Sequence, residues 1–526
     1  METFDRLTPQ ESRLHGRRFR LACGIAVIGI LGLLAFFNAF ASNRPVDYES
    51  DEDHFYYGSI GSDISGGLPL KVMQVLPAMF PEYLPTGAER HDYTVFGFIQ
   101  EPGAKMPIGF SIRQQFIDLT SINCGVCHTG SVRETVDSEP VIIPAMPANT
   151  MDLLAFFEFL FDCAGDQRFN SEEILAAMEK ADISGPLDGL IYRFVIPRMK
   201  EGLLARSKKI SFLFEPDYPR FGPGRVNTFD TFKYDQFAYY YQAHGQEIDP
   251  DEIYGTVALP SIWNQAAREG LKLHWDGNNS SVRERNFSAA IGAGAKPQDM
   301  DIERMFRIER WLATLPPPAY PFSIDEKKAK QGEAIYKKYC LDCHDFTGKQ
   351  VGQVFPLAKI GTDRHRLDSY TQFLLEAQQD YTEGYFWSFT HFTKTHGYAS
   401  QPLDGIWARA PYLHNGSVPT MWDLLTPAEE RPQAFTIGGD VYDQEKMGFV
   451  HEALTGSPES GYIRNDGSSY TGTAFVLDTN LRSNSSQGHT GPAYGTELSD
   501  DQKRALIEYF KWQDRPSGRP VQTSGE

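Results

Sequence analysis

The chain has 526 residues, with 69 Asp and Glu against 50 Lys and Arg, and a net charge of −19. That balance argues against nucleic acid as a partner, because one polyanion repels another. Hydrophobic residues make up 41% and aromatics 13%, enough to build two or three buried cores at this length.

Taken in chain order, Arg13, Arg17, Arg18 and Arg20 precede an apolar run from Leu21 to Phe37. About twenty apolar residues span roughly 30 Å of hydrocarbon, and the flanking arginines mark the cytoplasmic side. The segment 21–41 therefore reads as a transmembrane anchor, with 1–20 in the cytoplasm. A cleaved signal ending at Ala39-Phe40-Ala41 is the alternative. The acidic run from Asp47 to Asp53 reads as a solvated stalk.

Two stretches then decide the chemistry. Cys124-Gly125-Val126-Cys127-His128 and Cys340-Leu341-Asp342-Cys343-His344 are both C-x-x-C-H, the attachment signature of c-type haem. The two thiols add to the haem vinyl groups, and the adjacent histidine reaches the iron. Cys124, Cys127, Cys340 and Cys343 are thus expected to hold two covalent haem c groups, with His128 and His344 as proximal ligands. A zinc or redox Cys-x-x-Cys pair would not need a histidine after both motifs. Of the other two cysteines, Cys23 lies in the apolar segment and Cys163 reads as a buried small hydrophobe. Covalent haem attachment is completed outside the cytoplasm. The bulk of the chain is accordingly expected in the periplasm, held at the inner membrane and meeting a periplasmic redox partner protein.

Helical patches are expected from Thr150 to Phe161 and from Glu172 to Lys180, amid loops rich in Gly, Pro and aromatics. A helix from Asp301 to Leu312 leads into the proline-rich linker Leu315 to Pro321. This divides the exported chain into an N-terminal haem c domain over 42–315, with loop-rich insertions, and a C-terminal cytochrome c domain over 322–515. In the second domain, a helix from Ser323 to Tyr339, opened by a Ser323/Glu326 capping box, feeds Cys340. A closing helix ends at Trp512, with Ala505, Leu506, Tyr509 and Phe510 as its apolar stripe. The expected fold class is mainly α with long irregular loops: two cytochrome c-like haem domains behind an N-terminal transmembrane helix.

In the stretches His54 to Gly61, Gly222 to Val226, Leu273 to Asn279, Ala410 to Thr420 and Gly488 to Thr490, the chain resembles di-haem cytochromes related to the bacterial rubber oxygenases. Those are distant relatives of the bacterial di-haem cytochrome c peroxidases. The resemblance implies His489 as the sixth ligand of the second haem, with His414 as its competitor. Bis-histidine ligation suits storage and relay of electrons. For the first haem, the stretch Asp251 to Pro260 lacks the distal histidine that relatives can carry, which implies a face open to dioxygen or peroxide. His274, Met146 and His91 are candidates to enter that pocket, where an unligated His274 could accept and return a proton. Trp275 is implied as the electron carrier between the haems. Peroxidase relatives place an acidic residue some way after that tryptophan, whereas Ile291 to Lys296 holds no carboxylate. This departure weakens a peroxide-reductase reading and leaves an oxygenase-like one. A structural calcium is also implied, bound by Asn264 and the carbonyls of Arg409 and Pro411. The expected function is redox chemistry, with electron transfer through the second haem and dioxygen or peroxide activation at the first. A non-catalytic electron-transfer cytochrome and a di-haem peroxidase are the alternatives.

Overall fold

In the computed structural model the described residues are 43–514, together with 20, 21, 23, 24, 26–30 and 32. Strands β1 (Arg44–Pro45), β2 (Leu68–Pro69), β3 (Phe110–Gln114) and β4 (Leu119–Ile122) form an antiparallel sheet in the order β1-β3-β4-β2. Helix α1 (Asp51–Tyr57) is capped by Ser50, whose hydroxyl accepts from the Asp53 N–H. Strand β4 carries the chain into Asn123 and then into α2 (Cys124–Cys127), the first attachment turn. Beyond it lie α3 (Leu153–Gly165), capped by Asp152, and α4 (Ser171–Lys180), capped by Asn170. Next come α5 (Asp188–Lys209), α6 (Val282–Gly292) and α7 (Ile302–Thr314), the last capped by Asp301. Each polar cap satisfies a backbone N–H that the helix itself cannot.

In the C-terminal part, α8 (Glu326–Tyr339) runs directly into α9 (Leu341–His344), the second attachment turn. Helix α8 starts later than expected. Asp325, not Ser323, is the cap and accepts from the Lys328 N–H at 3.0 Å. Helix α10 (Asp500–Trp512) opens with a complete capping box between Ser499 and Gln502. It crosses α8 so closely that a Cβ on Gly332 would run into the Ala505 carbonyl. Tyr336 packs against Tyr509 and Phe510, with ring centroids 5.0 and 6.0 Å apart. One apolar cluster lies wholly within residues 70–259, whereas the other joins side chains from both sides of the 315–321 linker, from Phe55 to Phe510.

Two parts of the expected fold class are corrected. Strand is a substantial minority, with 42% of the described residues helical and 12% in strands. Strands β5 (Val354–Pro356) and β6 (Gly397–Ala399) pair antiparallel. Strands β7 (Ala434–Ile437), β8 (Ala453–Ser457), β9 (Gly461–Arg464) and β10 (Phe475–Asp478) build a second four-stranded sheet, ordered β9-β8-β7-β10. The chain is therefore not plainly mainly α. Nor do the described residues show the expected N-terminal transmembrane helix: no helix among them is long and apolar enough to cross a membrane. Of the 21–41 segment, 22, 25, 31 and 33–41 lie outside the described residues. Helix α5 has 22 residues, but Asp188, Arg193, Arg198, Lys200, Glu201, Arg206, Lys208 and Lys209 lie along it, and a bilayer core does not accept that charge density.

Candidate functional site: two histidine cradles joined through Trp275

The first cradle is built around Asn123. Its side-chain oxygen accepts from the Gly125 N–H at 2.8 Å, and its amide donates to the Gly58 carbonyl at 2.9 Å. One side chain thus caps the Cys124–Cys127 turn and ties it to the end of α1. The ring of His128 points its Nδ1 at the Pro260 carbonyl, 2.8 Å away. A carbonyl can only accept, so the proton sits on Nδ1 and the Nε2 lone pair is free. Burial lowers this histidine to about 4, which keeps it neutral. A neutral imidazole with its second nitrogen anchored on a carbonyl is the form that binds a metal. Burial also pushes Cys124 and Cys127 up to about 12, so both are neutral thiols.

The second cradle repeats this logic on different elements. His344 Nδ1 donates to the Gln401 carbonyl at 2.8 Å, and the His344 carbonyl accepts from the Leu403 N–H. The ring of His489 faces it, with centroids 6.3 Å apart. A single metal held between two imidazoles, at about 2.0–2.1 Å from each nitrogen, needs a separation of roughly this size. Burial lowers His489 to about 3, and its Nδ1 is buried without a hydrogen-bond partner. The loop that presents it is tightly constrained. Gly488 and His489 both have positive φ, 82° and 49°, and a Cβ on Gly488 would meet the Ile360–Thr362 backbone. The Arg431 guanidinium donates to the carbonyls of Ser486, Gly488 and His489 and so staples the loop from behind.

His414 has a different environment. The Tyr398 hydroxyl donates to the Asp363 carbonyl at 2.6 Å. Its oxygen must then accept from His414 Nε2, 3.0 Å away, and the two rings lie 4.2 Å apart. The nitrogen is committed to Tyr398 and is not directed at His344.

Trp275 lies between the supports of the two proximal histidines. Its indole N–H donates to the Ala258 carbonyl at 3.0 Å, two residues before Pro260, which holds His128. Its own carbonyl accepts from the Ala399 N–H at 2.9 Å, two residues before Gln401, which holds His344. The Gln401 side chain donates back to the carbonyls of Lys272 and His274. One loop, 272–276, therefore touches the peptide segments behind both cradles.

His274 sits in that loop with φ 62°. Its Nδ1 donates to Asn278 Oδ1 at 2.6 Å, its ring packs near Phe392, and burial lowers it to about 4. Among the described residues, no hydrogen bond or ring contact links His274 to His128. The charge of Arg285 nonetheless lowers both rings. Met146 is fully buried beside Gly130, near the first motif, whereas His91 is exposed. The buried carboxylate of Glu284, on α6, is consumed by Thr390, His391 and Asn279. It offers no general acid to replace the one absent from Ile291–Lys296.

Beside Asn264, implied as a calcium ligand, the nearest carboxylate is already compensated. Asp404, beside Asn264, already takes the Arg268 and Arg409 guanidinium groups and the Asn264 amide. Arg268 also donates to the carbonyls of Trp263 and Asn264. Two arginine cations therefore neutralise the Asp404 carboxylate without a metal ion. Among the described residues no group of three or more His, Cys, Asp or Glu could hold a metal.

Sequence reasoning missed the carbonyls of Pro260 and Gln401, because a backbone acceptor has no residue signature. It also missed Arg431, which no motif marks.

Residues 397–436 match a family model described as RoxA-like, cytochrome c-like. That match supports a RoxA-like cytochrome. It covers the strand bearing Tyr398, the Gln401 support and the loop of His414, and it speaks for a haem c-bearing protein of redox chemistry. Two relatives from Sinorhizobium fredii (strain NBRC 101917 / NGR234) are similar over longer stretches, and both carry the name uncharacterized protein. One, y4iM, is 33% identical over 301 residues, covering 50% of this chain and 66% of its own, just under two thirds. The other, y4iJ, is 25% identical over 539 residues, covering 79% of this chain and 83% of its own.

Proposed function

We propose that this chain is a di-haem c-type oxidoreductase that activates dioxygen or peroxide at the His128 cradle and relays electrons through the His344/His489 cradle. Bound haem c supplies the one-electron and oxygen chemistry; the chain's own residues set what each site can do. Cys124, Cys127, Cys340 and Cys343 hold the two groups. His128 and His344 offer Nε2 because Pro260 and Gln401 fix the proton on Nδ1. His489, whose ring faces His344, would hold the second group from the opposite side. Among the described residues no hydrogen bond or ring contact sets a histidine against His128, which supports a face open to a small ligand. Trp275 shortens the path between the two, and its oxidised indole would keep its proton, since a backbone carbonyl is a poor base. The observation that carries this reading is the pair of hydrogen bonds by which Trp275 spans the segments supporting both proximal histidines. The work is done outside the cytoplasm, where haem c is attached, with a periplasmic redox protein as electron partner.

The test is electron paramagnetic resonance on the purified protein, after a haemochrome assay for two haems per chain. The expected spectrum has one low-spin and one high-spin ferric centre. His489→Ala should convert the low-spin centre to high-spin, and added imidazole should restore it. Two low-spin centres unmoved by imidazole would make the chain an electron carrier without a reactive site.

A further inference from the structure

Helix α5 is apolar on both faces. Tyr192, Ile196, Met199 and Leu203 are buried inward, yet Leu187, Leu190 and Phe194 stand 52, 66 and 64% exposed on the opposite side. These three are spaced three and four residues apart, so they form one ridge. The same outward side continues with Arg198, the single acid Glu201 and Lys208, and is flanked by Arg193. None of these three basic side chains makes an ion pair among the described residues. Helix α5 carries six basic residues against two acidic ones in a chain of net charge −19. One of those two acids, Asp188, is neutralised by Lys71 at 2.7 Å. Beside the ridge opens a cavity of about 730 Å³ with largely apolar walls, including Phe157, Phe161 and Val195, and with Arg198, Lys296 and the Arg206–Asp235 pair among its polar positions.

We infer that the outward face of α5 docks on an anionic lipid surface, with Leu187, Leu190 and Phe194 entering the acyl boundary and Arg193, Arg198 and Lys208 meeting lipid phosphates. An exposed apolar ridge bordered by unpaired cations is the pattern of an interfacial helix. The charge argument commits it to lipid. An acidic protein is repelled by an anionic bilayer over most of its surface, so the locally basic face alone can approach. Each basic side chain at such a surface raises partitioning roughly fivefold.

The test uses the full haem-loaded chain carrying Leu190→Cys, labelled by a water-soluble maleimide and read by mass spectrometry on that peptide alone. Attachment through any other segment then does not count. With vesicles of equal parts phosphatidylglycerol and phosphatidylcholine, labelling at 190 should slow by at least about tenfold. With pure phosphatidylcholine it should not slow, and Arg193→Glu/Arg198→Glu/Lys208→Glu should abolish the protection while leaving the haem spectra unchanged. Unslowed labelling with the anionic vesicles overturns the inference. Equal slowing on both vesicle types also overturns it, in favour of a purely apolar contact. Protection by a periplasmic redox protein, but not by vesicles, would reassign the face to a protein partner.

Discussion

His414 shows how much the placement of one proton matters. The tyrosine beside it has a single proton, given to the Asp363 carbonyl, so His414 must hold a proton on Nε2. Burial lowers its pKa to about 3, against roughly 6.5 in the unfolded chain. Between those values the unfolded state binds a proton that the folded state does not, so folding stability rises with pH across that window and is fully present above about 6.5. The slope from this one site is at most about 1.4 kcal/mol per pH unit. His414→Gln, which keeps a donor toward Tyr398, should flatten the acid limb by up to that amount, measured by denaturant unfolding between pH 4 and 7. An unchanged limb would mean that His414 is protonated in the folded protein.

Among elements, close approach decides more than propensity does. Alanine is a better helix former than glycine by about 1 kcal/mol, so Gly332→Ala would stabilise an isolated α8. Against α10 the new Cβ meets the Ala505 carbonyl, and overpacking of this kind costs roughly 1–3 kcal/mol. The larger effect wins, and the substitution should lower stability, read as a shift in the denaturant midpoint. The His489 loop makes a second case. Arg431→Ala removes the donors that hold the carbonyls of Ser486, Gly488 and His489 while leaving the histidine itself in place. The expected result is partial loss of the low-spin signal, recovered by imidazole, with the haem content unchanged. Full retention of the signal would show that the positive-φ backbone alone fixes the loop.

The whole molecule explains which parts of this arrangement could be read in advance. The C-x-x-C-H pairs and the helices ending near Leu312 and at Trp512 are local, and residue identity announces them, whereas the capping box expected at Ser323 gives way to a cap at Asp325. Helix α5 escaped because its apolar residues lie on both faces and Pro197 interrupts the pattern. The two four-stranded sheets escaped because their strands are two to five residues long, too short to establish alternation. Non-local pairings such as His344 with His489, or Trp275 with Ala258 and Ala399, depend on the fold and leave no trace in spacing; the resemblance implied the His344/His489 pair and Trp275, but not the backbone partners of Trp275. The Asp404 cluster belongs to this class as well, since it joins 263–268 to 404–409 across the proline linker. With Arg268 and Arg409 already compensating the carboxylate, a chelator of calcium should leave the thermal midpoint unchanged, and added calcium should not raise it. Arg268→Met should act differently. It leaves the carbonyls of Trp263 and Asn264 without a donor and halves the charge facing Asp404. Removing one partner of a buried ion pair typically costs about 3–5 kcal/mol, and the remaining Arg409 should hold the loss toward the lower end. If calcium restored the stability of that variant, the two arginines would be standing in for a metal that the same oxygens can still bind.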